Sequence, residues 1–471
     1  MVLAPLALVA SSAALYFGTG LHPVWWLAWV APIPVLLLAP RVSSGRAFGV
    51  AFVAWAAGSL NEWSYFHGVL QIPLGVALTI VLVPALFFAA GVLFYRGALK
   101  TSAWRAVLIF PSFWVFSEFL SESLSPHSTA GNISYSQMNF LPVLQLASVT
   151  GIWGISFCLF LFSSTLSALL SGTNHSERRG LAIAVGLVFV AVLGFGTWRL
   201  DTTPAAPDTV MVGLVASDLP QNILTDEHAD TLRLLHEYAD AAQKLASQGA
   251  KVIVIPEKVA VVLDSDLPEV DSLLKSVSTT TGATVIIGVI HPTVNAKWNE
   301  ARLYSPDGRI RTYEKHHMLP PFESTFTVGT DLIEWNEGSG RWGVTICKDM
   351  DFPRLSREYG NDGTGLLLVP AWDFVVDGWL HGRMAILRGV ESGFSMARAP
   401  KQGILTVTDN RGRVLAERET NTAPFASLLA AVPVRHDATI YARFGDWFAW
   451  ANIVLLIVLI ASVVLRRRLS N

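Results

Sequence analysis

Through the first 200 residues, long apolar runs are separated by short polar breaks, and one further apolar run lies close to the end of the chain. Crossing the hydrocarbon core of a bilayer takes about 20 mostly apolar residues, because an unpaired backbone group in lipid is costly. The runs at 2–18, 23–39, 47–60, 70–97, 104–119, 152–171, 181–198 and 446–465 follow that pattern and predict about eight membrane-spanning helices. The first run lacks the basic flank of a signal peptide and is soon followed by another apolar run, so it reads as a span. Composition changes sharply at the Pro-rich stretch 201–208. Beyond it, β-rich runs at 210–215, 251–255, 284–290, 301–304, 309–313, 342–347, 365–369, 403–408 and 426–432 alternate with helical patterns at 227–248, 268–280 and 379–397. That alternation predicts a layered α/β domain with helices covering a sheet. The expected organisation is helices over 1–200, the α/β domain over 201–440, and a last span with a basic tail over 441–471.

Composition agrees with the pattern: 52% hydrophobic and 15% charged residues suit a polytopic membrane protein and not a soluble one. A net charge of −2 argues against nucleic acid as a partner. Arg41, Arg46, Arg96, Lys100, Arg105, Arg178, Arg179 and the run Arg466, Arg467 and Arg468 all fall on one side when eight spans are counted. Basic loops stay cytoplasmic, so both termini are expected there and the α/β domain on the opposite side. Of the two cysteines, Cys158 lies in an apolar run and Cys347 does not, which leaves no useful disulfide.

Potentially reactive groups stand at the ends of three predicted strands. Cys347 ends the strand 342–347; an isolated Cys is ordinarily a small buried hydrophobe, yet a thiolate is also the strongest ordinary nucleophile. Glu257 follows the apolar run Val252-Ile253-Val254-Ile255-Pro256, and an apolar surround would raise its pKa towards that of a general base. In the segment from Tyr313 to Glu323, Lys315 is suited to hold an oxyanion and Glu323 to orient the other groups. Taken singly, Glu257 reads equally as a solvated loop acid, and Lys315 reads more readily as a surface lysine. Gly338-Ser339-Gly340-Arg341-Trp342-Gly343 fits G-x-G-x-x-G but precedes a strand, so it reads as a hairpin turn. His316 and His317 would face opposite ways in a strand and find no third ligand, which favours a structural role and no metal.

Glu, Lys and Cys in this order at successive strand ends resemble the carbon-nitrogen hydrolase (nitrilase) superfamily. Ile346-Cys347-Lys348-Asp349-Met350-Asp351-Phe352-Pro353 with Arg357-Glu358-Tyr359-Gly360 is similar to its nucleophile segment, and Arg388-Gly389-Val390-Glu391 with Ala397-Arg398-Ala399 to its downstream helix and strand. With the apolar runs included, the chain resembles the apolipoprotein N-acyltransferases, which insert a nitrilase-like domain between their seventh and eighth spans. Residues 23–40 look like that family's second span, and Tyr135-Ser136-Gln137 with the stretch from Leu144 to Phe157 like its loop into the sixth.

The resemblance implies an αββα sandwich, with Cys347 as nucleophile, Glu257 as base and Lys315 as oxyanion partner. The backbone N–H of Lys348 would complete the oxyanion site, Glu323 would be accessory, and Trp372 and Asp349 would touch substrate. It also implies a multi-pass cell (inner) membrane protein, without a cofactor, that moves an acyl chain from a phospholipid through a Cys347 thioester to the α-amine of a diacylglyceryl-cysteine lipoprotein. The alternatives are a membrane-anchored amidase using the same three residues with water as acceptor, and a catalytically idle scaffold. The chain departs from the family where Lys348-Asp349 replaces Tyr-Glu, where Pro321-Phe322-Glu323 is one residue short, where a Gly-Phe-Pro-Trp element before Tyr135 is absent, and where Lys401-Gln402-Gly403 replaces Asn-x-Gly. A charge at Lys348 is expected to lower the thiol pKa or to engage a lipid phosphate.

Overall fold

The computed structural model of the chain describes residues 2–171, 175–202, 208–338 and 340–469. The chain divides into two compact units, one of residues 1–201 with 444–471 and one of residues 202–443. Ser339 of the glycine-rich turn lies outside the described residues.

The first unit is helical. Leu74–Leu99, Ala103–Leu124, Ile152–Leu170 and Ser176–Asp201 are long and apolar enough to cross a membrane. The shorter apolar helices include Leu3–Gly18, Leu27–Arg41 and Trp447–Val463. The expected span at 23–39 is broken into Leu27–Val30, Ile33–Leu38 and a 3-10 turn, because Pro32 and Pro34 offer no N–H to the helical ladder. Small residues let helices close on one another: Ser164 Oγ donates to the Val107 carbonyl at 3.0 Å from one helix to the next.

The second unit is built on strands β1 (Thr209–Ala216), β2 (Val252–Val254), β3 (Ala260–Val261), β4 (Thr284–Pro292), β5 (Lys297–Tyr304), β6 (Ile310–Glu314), β7 (Ile333–Glu337), β8 (Gly340–Val344), β9 (Leu366–Trp372), β10 (Ser395–Lys401), β11 (Ile404–Thr408), β12 (Val414–Glu419) and β13 (Ala426–Pro433). One sheet runs β13-β1-β2-β4-β5-β6 with β3 beside β4, and the other runs β12-β11-β10-β9-β8-β7. The middle of each is parallel (β1-β2-β4 and β8-β9-β10) and the flanks antiparallel.

Strand residues alternate between two apolar layers. Val212, Leu214, Val252, Val254 and Ile286 pack between the sheets against Val344, Leu366, Leu368, Ala397 and Ala399. Val215, Ile253, Val285 and Ile287 face outward onto Leu234, Tyr238, Leu245 and Leu274 of helices His228–Ser247 and Leu267–Thr281. Helices Pro353–Asn361 and Gly378–Ser392 accompany the second sheet, where a Cβ on Gly343 would meet Tyr359 at 2.7 Å. The layers are helix, sheet, sheet, helix.

Two expectations need correction. The helical pattern at 379–397 stops at Ser392, because Gly393 takes a left-handed φ of 84° and ends the helix; Ser395–Lys401 is then a central parallel strand. The strand expected to run to Cys347 ends at Val344, and Cys347 opens a 3-10 turn.

Gly288 on β4 lets the chain after β2 cross close above it, since a Cβ there would lie 2.4 Å from Glu257 Cα and 2.6 Å from the Pro256 carbonyl. Gly288→Ala should destabilise the full-length protein by about 1–3 kcal/mol through overpacking, read as a lower melting temperature in detergent. An unchanged melting temperature would contradict the close approach.

Candidate active site

Glu257 follows β2 by three residues, and its backbone is fixed from both sheets. Ile255 N–H donates to the Ile286 carbonyl at 2.8 Å, and Glu257 N–H to the Ala371 carbonyl of β9 at 3.2 Å. The side chain is 1% exposed. Lys315 follows β6 directly and is 2% exposed; its Nζ donates to Glu257 Oε1 and to Glu323 Oε2, each at 2.8 Å. Asn299, wholly buried on β5, donates from Nδ2 to Glu257 Oε1 at 2.6 Å and Glu323 Oε1 at 2.9 Å. Lys258 completes the cluster, with Nζ 2.5 Å from Glu323 Oε1 and 3.6 Å from Glu257 Oε1.

Cys347 approaches from the other sheet. Its φ of 44° lies in the left-handed region, a strained setting for a side chain and one common at functional sites. Its Sγ donates to the Trp372 carbonyl at 3.5 Å. Burial pushes the thiol pKa well up and the charge of Glu257 adds to this, while Lys315 and Arg398 offset part. Burial also acts to raise Glu257, but Lys315, Lys258 and the bonds from Lys315 and Asn299 override it and pull the carboxyl down to about 2. That reverses the expectation of a raised Glu257. The charges that decide it come from residues remote in sequence as well as from the next one. Glu323 is lowered too: burial opposes it, and Lys315 and Lys258 prevail. Lys315 is raised well above its ordinary value by Glu257 and Glu323, against the burial that would lower it.

The structure therefore brings Glu257, Lys315 and Glu323 into one hydrogen-bonded cluster and sets Cys347 within reach of its field. Lys348 is engaged elsewhere. Its Nζ donates to Asp351 Oδ2 at 3.3 Å and lies 5.5 Å from the Phe352 ring centre, and the thiol beside it is pushed up, not down. Asp349, expected as a substrate contact, is instead a wholly buried clamp. Its Oδ1 accepts from the backbones of His316 and His317 at 3.2 and 2.8 Å, and its Oδ2 from Tyr313 Oη at 2.8 Å and Ile346 N–H at 3.1 Å. The two histidines are structural: His316 stacks on Tyr313, and His317 stacks on Phe352 at 3.6 Å and meets Asp349. Trp372 borders the site; its Nε1 donates to Gln402 Oε1 at 2.8 Å, and Lys401 Nζ sits 3.6 Å from its ring centre.

Lys258, Asn299, Lys401 and the pair Arg398–Asp373 were not anticipated as parts of the site. Lys401 is wholly buried and donates to the carbonyls of Ile223 and Lys258, the latter at 2.8 Å. Burial and the neighbouring Lys258 hold its pKa well below the usual lysine range. Arg398 grips Asp373 through two bonds of 2.8 and 2.5 Å. Asp373, Asp377 and His381 lie close enough to suggest a metal site. Yet both Asp373 oxygens serve Arg398, and Asp377 and Asp373 outweigh burial to push His381 up to about 9. With both oxygens already accepting from a guanidinium, Asp373 is a poor metal donor. Of the missed residues, Lys401 left a signal as a departure from the family's asparagine, and Arg398 as part of the Ala397-Arg398-Ala399 element.

A Glu, a Lys and a Cys at strand ends of a four-layer sandwich define a nitrilase-like α/β domain. Residues 217–423 match the family described as carbon-nitrogen hydrolase. Residues 11–165 match the apolipoprotein N-acyltransferase N-terminal domain. Among curated proteins, the chain is 27% identical to the apolipoprotein N-acyltransferase of Geobacter metallireducens, over 94% of this chain and 91% of that one. It is 24% identical to that of Vibrio parahaemolyticus, over 96% and 95%. Among solved structures, an amidase from Nesterenkonia sp. aligns with a TM-score of 0.42 and 20% identity, over 52% of this chain and 95% of that one. The chain is an apolipoprotein N-acyltransferase-like protein carrying a nitrilase-superfamily domain.

Asp349 supplies a test of the clamp. Its folded pKa is lowered, burial notwithstanding, chiefly by His317 and Lys315. The stabilisation it gives is present above the ordinary aspartate value of about 4 and is lost as pH falls through the folded value. Asp349→Asn should cost about 1–3 kcal/mol at pH 7. The gap in melting temperature to wild type should narrow below pH of about 4. A gap of the same size at pH 3 and pH 7 would overturn this account of Asp349.

Proposed function

We propose that the protein transfers an acyl chain from a phospholipid to the α-amine of a diacylglyceryl-cysteine lipoprotein by way of a thioester on Cys347. The observation that carries this reading is the convergence of Cys347 with the Glu257–Lys315 pair, in a chain whose other unit is made of apolar helices. The curated relatives bearing this name match it over nearly their whole length.

In the reading's first half, Glu257 takes the Cys347 proton as sulfur attacks the ester carbonyl carbon of the donor. The Lys315 ammonium and the backbone N–H of Lys348 hold the oxyanion. Collapse breaks the ester C–O bond, and the leaving lysophospholipid oxygen takes the proton back from Glu257. In the second half, the acceptor amine attacks the thioester, Glu257 takes the amine proton, and the leaving thiolate recovers it. Glu323 and Asn299 keep Glu257 and Lys315 aligned, and Trp372 lines the acyl side. The same reading places the protein in the cell membrane with about eight spans. Both termini are cytoplasmic and the second unit lies outside, as the basic loops require.

Full-length protein given a phospholipid labelled in its acyl chain should acquire a hydroxylamine-sensitive label, absent in Cys347→Ser. A diacylglyceryl-cysteine lipopeptide should discharge the label onto its amine. Glu257→Gln should slow acylation by roughly 10²- to 10⁴-fold. No label from any phospholipid would sink the reading, and loss of label to water at a rate indifferent to lipopeptide would favour an amidase.

A further inference from the structure

Lys258 is the one lysine of the cluster with a path outward. Its side chain is 13% exposed, against 2% for Lys315 and 4% for Lys348, and Lys401 is wholly buried. Its backbone, at a φ of 51°, is pinned independently of that side chain. Lys401 Nζ donates to its carbonyl at 2.8 Å, and the N–H groups on either side of it, of Glu257 and Val259, donate to Ala371 and Gly288. The ammonium can therefore move without moving Glu257.

Where it would move is also marked. Lys258 Nζ lies 5.8 Å from the centre of the Phe326 ring and 5.2 Å from that of Trp372. Lys297 Nζ lies 4.5 Å from the same Phe326 ring and has no carboxylate partner among the described residues. Two ammonium groups thus share one aromatic ring, and one of them is held back by carboxylates. Two cations about one ring, on a partly open edge, suit a phosphodiester anion.

We propose that Lys258 and Lys297 receive the phosphate of the lipid donor, and that Lys258 leaves Glu257 and Glu323 to reach it. This deepens the acyl-transfer reading and rests on it. While Lys258 stays on the glutamates, Glu257 faces two cations, Lys258 and Lys315, with Asn299 donating, and Glu323 is a like charge that interacts with it. Lys401 and Cys347 are the remaining titratable groups about the cluster. After Lys258 leaves, Lys315 alone neutralises Glu257, and the carboxylate binds a proton more readily. Lys258 is a positioning and specificity residue in this scheme, and the phosphate acts as the trigger.

The test compares two labelled donors with the same acyl chains, phosphatidylglycerol and diacylglycerol, on full-length protein in phosphate-free dodecyl maltoside micelles. Single-turnover acylation of Cys347 should favour phosphatidylglycerol by about tenfold in wild type. Lys258→Met should erase that preference, Lys258→Arg keep it, and Lys297→Met reduce it. With diacylglycerol as donor, the acid limb of the pH profile should sit at higher pH in Lys258→Met, because Glu257 loses one of the cations that keep it ionised. A purely structural loss would lower the rate and leave that limb in place. Glycerol 3-phosphate that speeds the diacylglycerol reaction in wild type but not in Lys258→Met would support the scheme with free phosphate as a sufficient trigger. No such effect, with the donor preference intact, would support it with the lipid headgroup as the trigger. A preference that survives in Lys258→Met, or an acid limb that does not move, would overturn the proposal and leave acyl transfer standing. No label in wild type from either donor would overturn both.

Discussion

Two carboxylates and two ammonium groups share one nearly dry site in this protein, and each is tolerable there only because the others are present. An isolated charge in such surroundings costs several kcal/mol even after relaxation. Glu257 and Glu323 are offset by Lys315 and Lys258, and Asn299 spends one amide on both acids at once. The cluster therefore behaves as a unit. Removing Lys315 or either acid strands the remainder, which makes it a constraint on the fold as much as a set of reacting groups.

The sandwich meets that constraint through its parallel strands. Glu257 follows β2, Cys347 follows β8, and Trp372 and Lys401 end β9 and β10, so all lie towards the carboxyl ends of parallel strands. Ladder bonds run out at such ends, and the freed backbone is available for side-chain chemistry. Among the contacts that join the two sheets there are the Glu257 N–H on the Ala371 carbonyl and the Lys401 ammonium on the Lys258 carbonyl. Nucleophile and carboxylate thus come from different sheets but are tied to adjacent carbonyls of β9, those of Trp372 and Ala371.

How much of this could be read from the chain followed from where each signal lay. Cys347 and Glu257 each close an apolar run, and an apolar run that ends on a reactive group is visible without a structure, whereas Lys315 follows the mixed strand Ile310–Glu314 and stands out only through its place in the Glu, Lys, Cys order. Asn299 sits inside a strand among Trp298, Glu300 and Ala301, and nothing in the spacing separates it from a residue facing solvent. The helical pattern through 379–397 was genuine up to Ser392, but one left-handed glycine turned its last residues into the central strand that carries Arg398 and Lys401. The proton affinity of Glu257 was read in the wrong direction for a related reason. Burial was inferred from the apolar run, while Lys315 reaches the carboxyl only through the pairing of β4 with β5 and β5 with β6.

The resting charges carry a consequence for the chemistry proposed. With Glu257 drawn down by its lysines and the thiol driven up by burial, the resting proton belongs on sulfur. A preformed thiolate is what makes a cysteine reactive, and it also opens the way to sulfenic acid and beyond. Keeping Cys347 as a thiol guards it, at the cost of needing a signal that moves the proton when a donor arrives. Geometry alone does not supply that signal, because Glu257 is already in place and already ionised. The change has to be electrostatic: a cation must leave the carboxylate, or a negative charge must develop on the carbonyl oxygen that Lys315 would hold. The oxyanion can do this only once attack has begun. A cation that leaves on binding does it beforehand, and among the cluster's lysines Lys258 alone combines a contact to both glutamates with partial exposure.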